Sequence, residues 1–149
     1  MENPSGVFIA ADHAGVHLKE AVIEKLKTMN IAVEDLGPNS VDRVDYPDFA
    51  DKVCQSICDD NHFGVLICGS GQGMAMRANK YSHIRAALCW NEESAVLARG
   101  HNNANVLCVG ARMLDEKLVM NIVESFFTTP FEGGRHQGRV EKISLPASL

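Results

Sequence analysis

The sequence predicts an α/β fold, a Rossmann-like three-layer sandwich with a five-stranded parallel sheet and helices on both faces. Three observations carry that expectation. Short apolar runs alternate with helical repeats along the whole chain. The runs are apolar at consecutive positions, as strands buried on both faces must be. The 149 residues, 46% apolar and 22% charged, suit one domain spanning 1–149 that can bury its own core.

Residues 7–11 (VFIAA) follow Gly6 and read as a buried strand. Leu18, Val22, Leu26 and Met29 then recur at helical spacing, interleaved with Lys19, Glu20, Glu24 and Lys25. Residues 31–36 (IAVEDL) form a second strand, closed by the turn 37–40 (GPNS). Pro47 opens a helix whose stripe is Phe49/Ala50, Val53/Cys54 and Ile57/Cys58. The clearest strand is 63–68 (FGVLIC), running into the glycine-rich turn 69–73 and a short helix over 74–80. Residues 84–90 are strand-like, 92–99 helical and 105–109 strand-like. Leu118/Val119, Ile122/Val123 and Phe126/Phe127 mark a further amphipathic helix. The stretch 129–134 breaks it, and 135–143 forms a terminal helix.

Composition narrows the possible functions. Fourteen Lys and Arg against nineteen Asp and Glu give a net charge of −5, poorly suited to nonspecific nucleic-acid binding through phosphate neutralisation. No apolar run approaches the roughly 20 residues that span a bilayer, and the start, 1–6, does not read as a signal peptide. The five cysteines form no CxxC pair, which speaks against a zinc ribbon or a dithiol redox motif. Cys54 and Cys58, four apart among apolar residues, read as buried thiols. A soluble protein of a reducing compartment, the cytoplasm, is expected.

In an open parallel sheet the ligand crevice lies beyond the carboxyl ends of the strands. Asp12-His13 follows the first strand, Cys68-Gly69-Ser70-Gly71 the third, and His101-Asn102 ends the helix after the fourth; these groups are expected to converge on one edge. The turn Gly69-Ser70-Gly71-Gln72-Gly73 is neither a GxGxxG fingerprint, since position 74 is Met74, nor a P-loop. Its three glycines can nevertheless aim several backbone N–H groups at one point, as an anion nest. Asp12 serves equally as a helix cap or a ligand contact. Arg135 and Arg139, four apart, would share one helical face: two guanidinium forks for a phosphate monoester, or a solvated basic face. His17, His62 and His83 have no metal-ligand spacing and read as surface residues.

Taken together, Asp12-His13-Ala14-Gly15, 45–50 (DYPDFA), 67–73 (ICGSGQG), Ala78-Asn79-Lys80, Arg85-Ala86-Ala87, 101–105 (HNNAN) and Gly133-Gly134-Arg135-His136 resemble the type B ribose-5-phosphate isomerases, in order and over nearly the whole chain. The wider family includes galactose-6-phosphate isomerase subunits and enzymes of allose 6-phosphate. The resemblance implies an aldose–ketose isomerase without metal or cofactor, interconverting ribose 5-phosphate and ribulose 5-phosphate. Position by position, Cys68 matches the base between C1 and C2, and Ser70 the hydroxyl that moves protons between substrate oxygens. Gly69, Ser70, Gly71, Gln72, Gly73 and the Met74 amide match the anion hole for the enediolate. His101 matches the acid that opens the furanose, assisted by Asp12. Asn102 and Tyr46 match substrate contacts, and His13, Arg112, Arg135 and Arg139 the phosphate end. The resemblance also implies a homodimer with the site completed across the interface, or a tetramer of paired dimers.

The chain departs from the family pattern in places. Arg77 stands where a small or apolar residue is expected, so packing there should differ. Asn103 stands where an acid is commoner, so an orienting role is not expected of this position. Ser70 replaces the commoner threonine and keeps the hydroxyl, while Met74 stands where some relatives lacking the cysteine place a glutamate base. A six-carbon phosphate such as allose or galactose 6-phosphate would use the same chemistry. A nucleotide- or phosphate-binding regulatory module would leave Cys68, Ser70 and His101 without a purpose.

Overall fold

In the computed structural model the description covers residues 3–148, so Met1, Glu2 and Leu149 of the expected span and start segment lie outside the described residues. The chain runs β1 (Gly6–Ala11), α1 (Val16–Thr28), β2 (Val33–Asp35), α2 (Tyr46–Ser56), β3 (His62–Cys68), α3 (Gln72–Ala78), β4 (Ala86–Leu88), α4 (Glu92–Gly100), β5 (Val106–Gly110) and α5 (Glu116–Thr128). A 3-10 turn over Gly134–His136 and α6 (Gln137–Ile143) complete it. The five strands are all parallel, in the order β2-β1-β3-β5-β4. The chain steps from β1 out to β2 and back across β1 to β3, so α1 and α2 take opposite faces. The crevice therefore opens where β1 and β3 diverge.

Strand periodicity sorts the core into two layers. Val7, Ile9, Val65, Ile67, Leu107 and Val109 point at α1, α4 and α5, meeting Leu26, Ala95, Ile122 and Phe126. Ala10, Leu66, Cys68, Val106 and Cys108 point the other way, at Val53 and Cys54 of α2 and Met74 and Ala78 of α3. Ile9, Leu66, Leu107 and Phe126 are wholly buried, each stabilising the fold by about 1.5–3 kcal/mol. The three-layer α/β architecture is the one the sequence predicts.

Several local expectations need correction. The second strand reaches only Val33–Asp35 rather than 31–36, and the fourth only Ala86–Leu88 rather than 84–90, because each pairs on one side only, at a sheet edge. Pro47 sits inside the first turn of α2, which starts at Tyr46. The helix after the glycine turn starts two residues early, at Gln72. The terminal helix begins at Gln137; Gly133 and Gly134, at φ +64° and +53°, twist the chain so that Arg135 falls in the 3-10 turn. Cys54 is buried, but α2 ends at Ser56 and Cys58 lies exposed beyond it. Lys19 shares the buried face of α1 with Val16, Val22 and Leu26 and is 1% exposed. Its ammonium bonds Asp35 Oδ1 at 2.6 Å and the Pro38 carbonyl at 2.8 Å, which makes its burial tolerable. Arg77 points out to α2, donating to both Asp51 oxygens at 2.7 and 3.1 Å, so the core stays apolar behind it.

Candidate active site

β3 delivers Cys68 to the C-terminal edge of the sheet. Period-2 alternation turns the side chain toward α2 and α3, and the residue is 4% exposed. The chain then reverses through Gly71, whose φ of +80° is a left-handed conformation open chiefly to glycine. That turn brings the Gly71 N–H onto Cys68 Sγ at 3.2 Å, a donor placed where a thiolate would need one. The Gln72 N–H meets Ser70 Oγ at 3.4 Å. Among the described residues no protein acceptor takes the N–H of Gly73 or Met74. One donor thus sits on the sulfur, and two more in the turn that follows have no protein acceptor.

Cys68, Gly69, Ser70 and Gly73 line a cavity of 430 Å³ with Asp12, Tyr46, Arg112 and Met113. Asp12 is 7% exposed, and its Oδ1 accepts the Ala14 N–H at 2.9 Å. The N-cap of α1 is Gly15, so Asp12 is a turn residue at the mouth of β1, settling the choice against a cap. Tyr46 covers Gly73 so closely that a Cβ there would lie within 2.6 Å of the tyrosine Oη. Glycine at 73 is what lets the ring and the nest share one wall. Arg112 lies along Gly69, its N–H donating to the Gly69 carbonyl at 2.9 Å, and binds the loop after β5 to the nest. His13 Nδ1 accepts the Val44 N–H at 3.3 Å, which ties the β1 loop to the approach to α2.

His101 is elsewhere, and the expected convergence of all these groups on one edge fails. A helix joining parallel strands leaves the C-terminal edge and returns to the N-terminal edge, so α4 ends where β5 starts. Just beyond His101, the Asn103 carbonyl accepts from Arg85 Nε and Asn105 Oδ1 accepts the Arg85 backbone N–H, both at 2.7 Å, at the entrance to β4. Asn102 is exposed beside Leu97 and Trp90. His101 Nε2 meets Glu132 Oε2 at 3.1 Å, and its ring stacks on His136 at 4.2 Å. Burial, then the nearby His101 and Arg135 charges, hold the His136 pKa below the usual imidazole range, against the pull of Glu132. Arg135 and Arg139 follow on the exposed side. The sequence reading assigned no part to Glu132, His136 or Met113. The pattern GGRH held the only sequence signal for His136, and none flags Glu132.

Two groups of three side chains, His101/Glu132/His136 and Cys58/Asp59/His62, each hold donor atoms within 4.8 Å. In the second, Asp59 is already engaged by His62 at 2.7 Å and by the Asn61 N–H at 2.8 Å. The other buried thiols are shut away: burial pushes Cys54 and Cys89 up to about 12, and Cys108 upward too. They are neutral fillers of the core. No helix of the described residues is long and apolar enough to cross a membrane.

A doubly wound parallel sheet with a thiol and a glycine nest at its switch point is the frame of the ribose/galactose isomerase family, and the chain belongs to it, matching the family profile over residues 7–143. Its relatives are specific. A protein of Mycoplasma genitalium named "probable ribose-5-phosphate isomerase B" is 49% identical over 142 residues, 92% of each chain. The solved ribose 5-phosphate isomerase of Thermotoga maritima superposes with a TM-score of 0.90 at 49% identity, covering 94% of this chain and 97% of that one. The ribose-5-phosphate isomerase B of Mycoplasma genitalium, solved with bound ribulose-5-phosphate, gives 0.90 at 46% identity and 93% of each chain.

Proposed function

We propose that this chain is an aldose–ketose isomerase that interconverts D-ribose 5-phosphate and D-ribulose 5-phosphate in the non-oxidative pentose phosphate pathway, without metal or cofactor. The observation that carries the reading is Cys68 Sγ at the switch point, 3.2 Å from the Gly71 N–H, in a turn whose Gly73 and Met74 N–H groups have no protein acceptor among the described residues. Isomerisation removes the proton on C2, alpha to the C1 aldehyde, and places negative charge on O1. A buried thiolate supplies the base, and the nest stabilises the enediolate oxygen, each donor contributing about 3 kcal/mol on the oxyanion-hole scale. Cys68, now a thiol, returns the proton to C1, while the Ser70 hydroxyl moves a proton between O1 and O2. The names of the solved relatives favour the five-carbon substrate over allose or galactose 6-phosphate.

The substrate aldose is a furanose, and its ring must open first. His101 protonates O4 as the C1–O4 electron pair moves to that oxygen, and Asp12 takes the O1 proton as the aldehyde forms. In one chain these two groups belong to opposite ends of the sheet, so we assign them to two protomers of a homodimer, with Arg135, Arg139 and Asn102 arriving beside His101. His13 and Arg112 meet the phosphate from the Cys68 side. Trp90, Val96, Leu97 and Met113, which are 62, 42, 42 and 69% exposed, supply an apolar surface of the kind a partner covers. The five free thiols support a cytoplasmic setting. The reading is tested by kcat/KM for ribose 5-phosphate beside allose and galactose 6-phosphates, with EDTA present. Preference for either hexose phosphate, or loss of turnover in EDTA, overturns it.

A further inference from the structure

We propose that the backbone of Val44 is the positioning group for His13: its N–H takes up the Nδ1 lone pair, so the ring proton sits on Nε2, the nitrogen left to donate to the sugar phosphate. This rests on the phosphate role given to His13 above. A neutral imidazole has one N–H and one bare nitrogen, and a neighbour that can only donate decides which is which. A backbone N–H is such a neighbour. The Val44 N–H donates to His13 Nδ1 at 3.3 Å, so Nδ1 carries the lone pair and Nε2 the proton. Among the described residues no protein acceptor takes that Nε2–H, and no side-chain nitrogen or oxygen is both buried and unpartnered. The Nε2–H is therefore open to solvent and to a ligand.

The same bond holds the loop that joins β2 to α2. The start of that loop is tied down by others. The Gly37 N–H donates to Asp35 Oδ1 at 2.8 Å, and the Gly37 carbonyl accepts the Ala11 N–H at 3.0 Å. The Pro38 carbonyl accepts from Lys19 Nζ at 2.8 Å. From Asn39 to Arg43 the chain is exposed, and its hydrogen bonds, between Ser40 and Asp42, stay within it. Among the described residues the Val44–His13 bond is the one hydrogen bond that ties 39–44 to the body of the fold. Two residues further on stands Tyr46, which covers Gly73 of the nest. One imidazole thus joins the phosphate end to the wall of the thiol cavity, and its two nitrogens have separate tasks.

Amide side chains separate those tasks. In His13→Asn, Oδ1 stands near the place of Nδ1 and can accept from Val44, but the side chain is too short to donate to the phosphate. In His13→Gln the longer amide can donate there, but the Val44 N–H loses its acceptor. His13→Asn should raise KM for ribose 5-phosphate about tenfold or more and lower kcat by a smaller factor. His13→Gln should do the reverse, with the larger loss in kcat, because Tyr46 loses its anchor. Two readouts do not depend on turnover. Nitrogen-15 spectra of the rings, with His13 assigned by its loss in His13→Gln, should show a protonated Nε2 and a bare Nδ1, and inorganic phosphate should shift the Nε2 signal. The Val44 amide should exchange with solvent about tenfold or more slowly in wild type and His13→Asn than in His13→Gln. A proton on Nδ1 in wild type, an Nε2 signal unmoved by phosphate, equal Val44 exchange in all three proteins, or one kinetic profile shared by both variants overturns the proposal. A wild-type protein with no turnover of either pentose phosphate defeats the isomerase reading instead, while the ring spectra and the Val44 exchange still decide the part played by Val44.

Discussion

Replacing Cys68 separates the chemistry of its sulfur from its structural part. The Gly71 N–H is buried and its acceptor is Cys68 Sγ, at 3.2 Å. Cys68→Ala removes that acceptor and leaves the donor unsatisfied, at a cost of about 1–3 kcal/mol. For a chain of this length that lowers Tm by roughly 3–10 °C. Cys68→Ser keeps an oxygen in the same place and should recover most of the loss. Neither variant keeps a usable base, since a hydroxyl ionises far less readily than a thiol. Removing a general base costs about 10²–10⁴ in rate, or roughly 3–5 kcal/mol of barrier. The measurement pairs thermal melts with kcat for ribulose 5-phosphate formation. Both variants should bind a sugar-phosphate analogue and turn over at under a hundredth of the wild-type rate. Retention of more than about a tenth of kcat, a barrier change under ~1.4 kcal/mol, would mean that another group is the base. A serine variant no more stable than the alanine one would refute the hydrogen-bond part. Thiol alkylation should inactivate the protein, with substrate protecting it. That experiment is best read in a Cys58→Ser background, because Cys58 is the exposed competing thiol.

Three further outcomes are expected. Gly73→Ala would drive its methyl into the Tyr46 ring, but Tyr46 is 39% exposed and can swing aside, so stability should fall by only about 1–3 kcal/mol. The larger loss should be in kcat/KM, because the nest wall moves; a melt shift without a kinetic one sinks the idea. Arg139→Ala should raise KM for the sugar phosphate by roughly 10–150-fold, the 1.5–3 kcal/mol of a hydrogen bond to a charged group. Unchanged KM in both it and Arg135→Ala leaves the pair as a solvated surface. Because burial holds His136 below the ordinary imidazole pKa, the folded chain binds this proton less readily than the unfolded chain does. That contribution to stability is whole above about pH 6.5 and is lost as pH falls through the folded value. Denaturant midpoints should therefore drop between pH 7.5 and 5.5, less steeply in His136→Gln; identical slopes in the two proteins refute it.

Much of the fold is written in local pattern. The apolar runs of β1, β3 and β5, the helical stripes of α1, α2 and α5, and the glycines of the 69–73 turn act through neighbouring residues, and period and backbone freedom can be read one segment at a time. The thiol and its nest are local for the same reason, since Cys68 and Gly71 are three residues apart on one strand-to-turn path. Sheet edges were harder, because β2 and β4 stop where pairing stops, and pairing partners are remote in sequence. The burial of Lys19 is not legible locally, because Asp35 and the Pro38 carbonyl, which satisfy its ammonium, come from the next strand and turn.

The site divides along the same line. The motif resemblance gathers Cys68, Asp12 and His101 into one list, but a list carries no direction. In a parallel sheet every crossover helix must run back to the starting edge, so a residue at the end of α4 is separated from one at the end of β3 by the length of the strands. Only the tertiary structure shows that separation. The contact of Glu132 with His101 is likewise tertiary. It joins residues 31 apart in sequence through a loop whose shape depends on Gly100, Gly133 and Gly134, and no periodicity spans that distance.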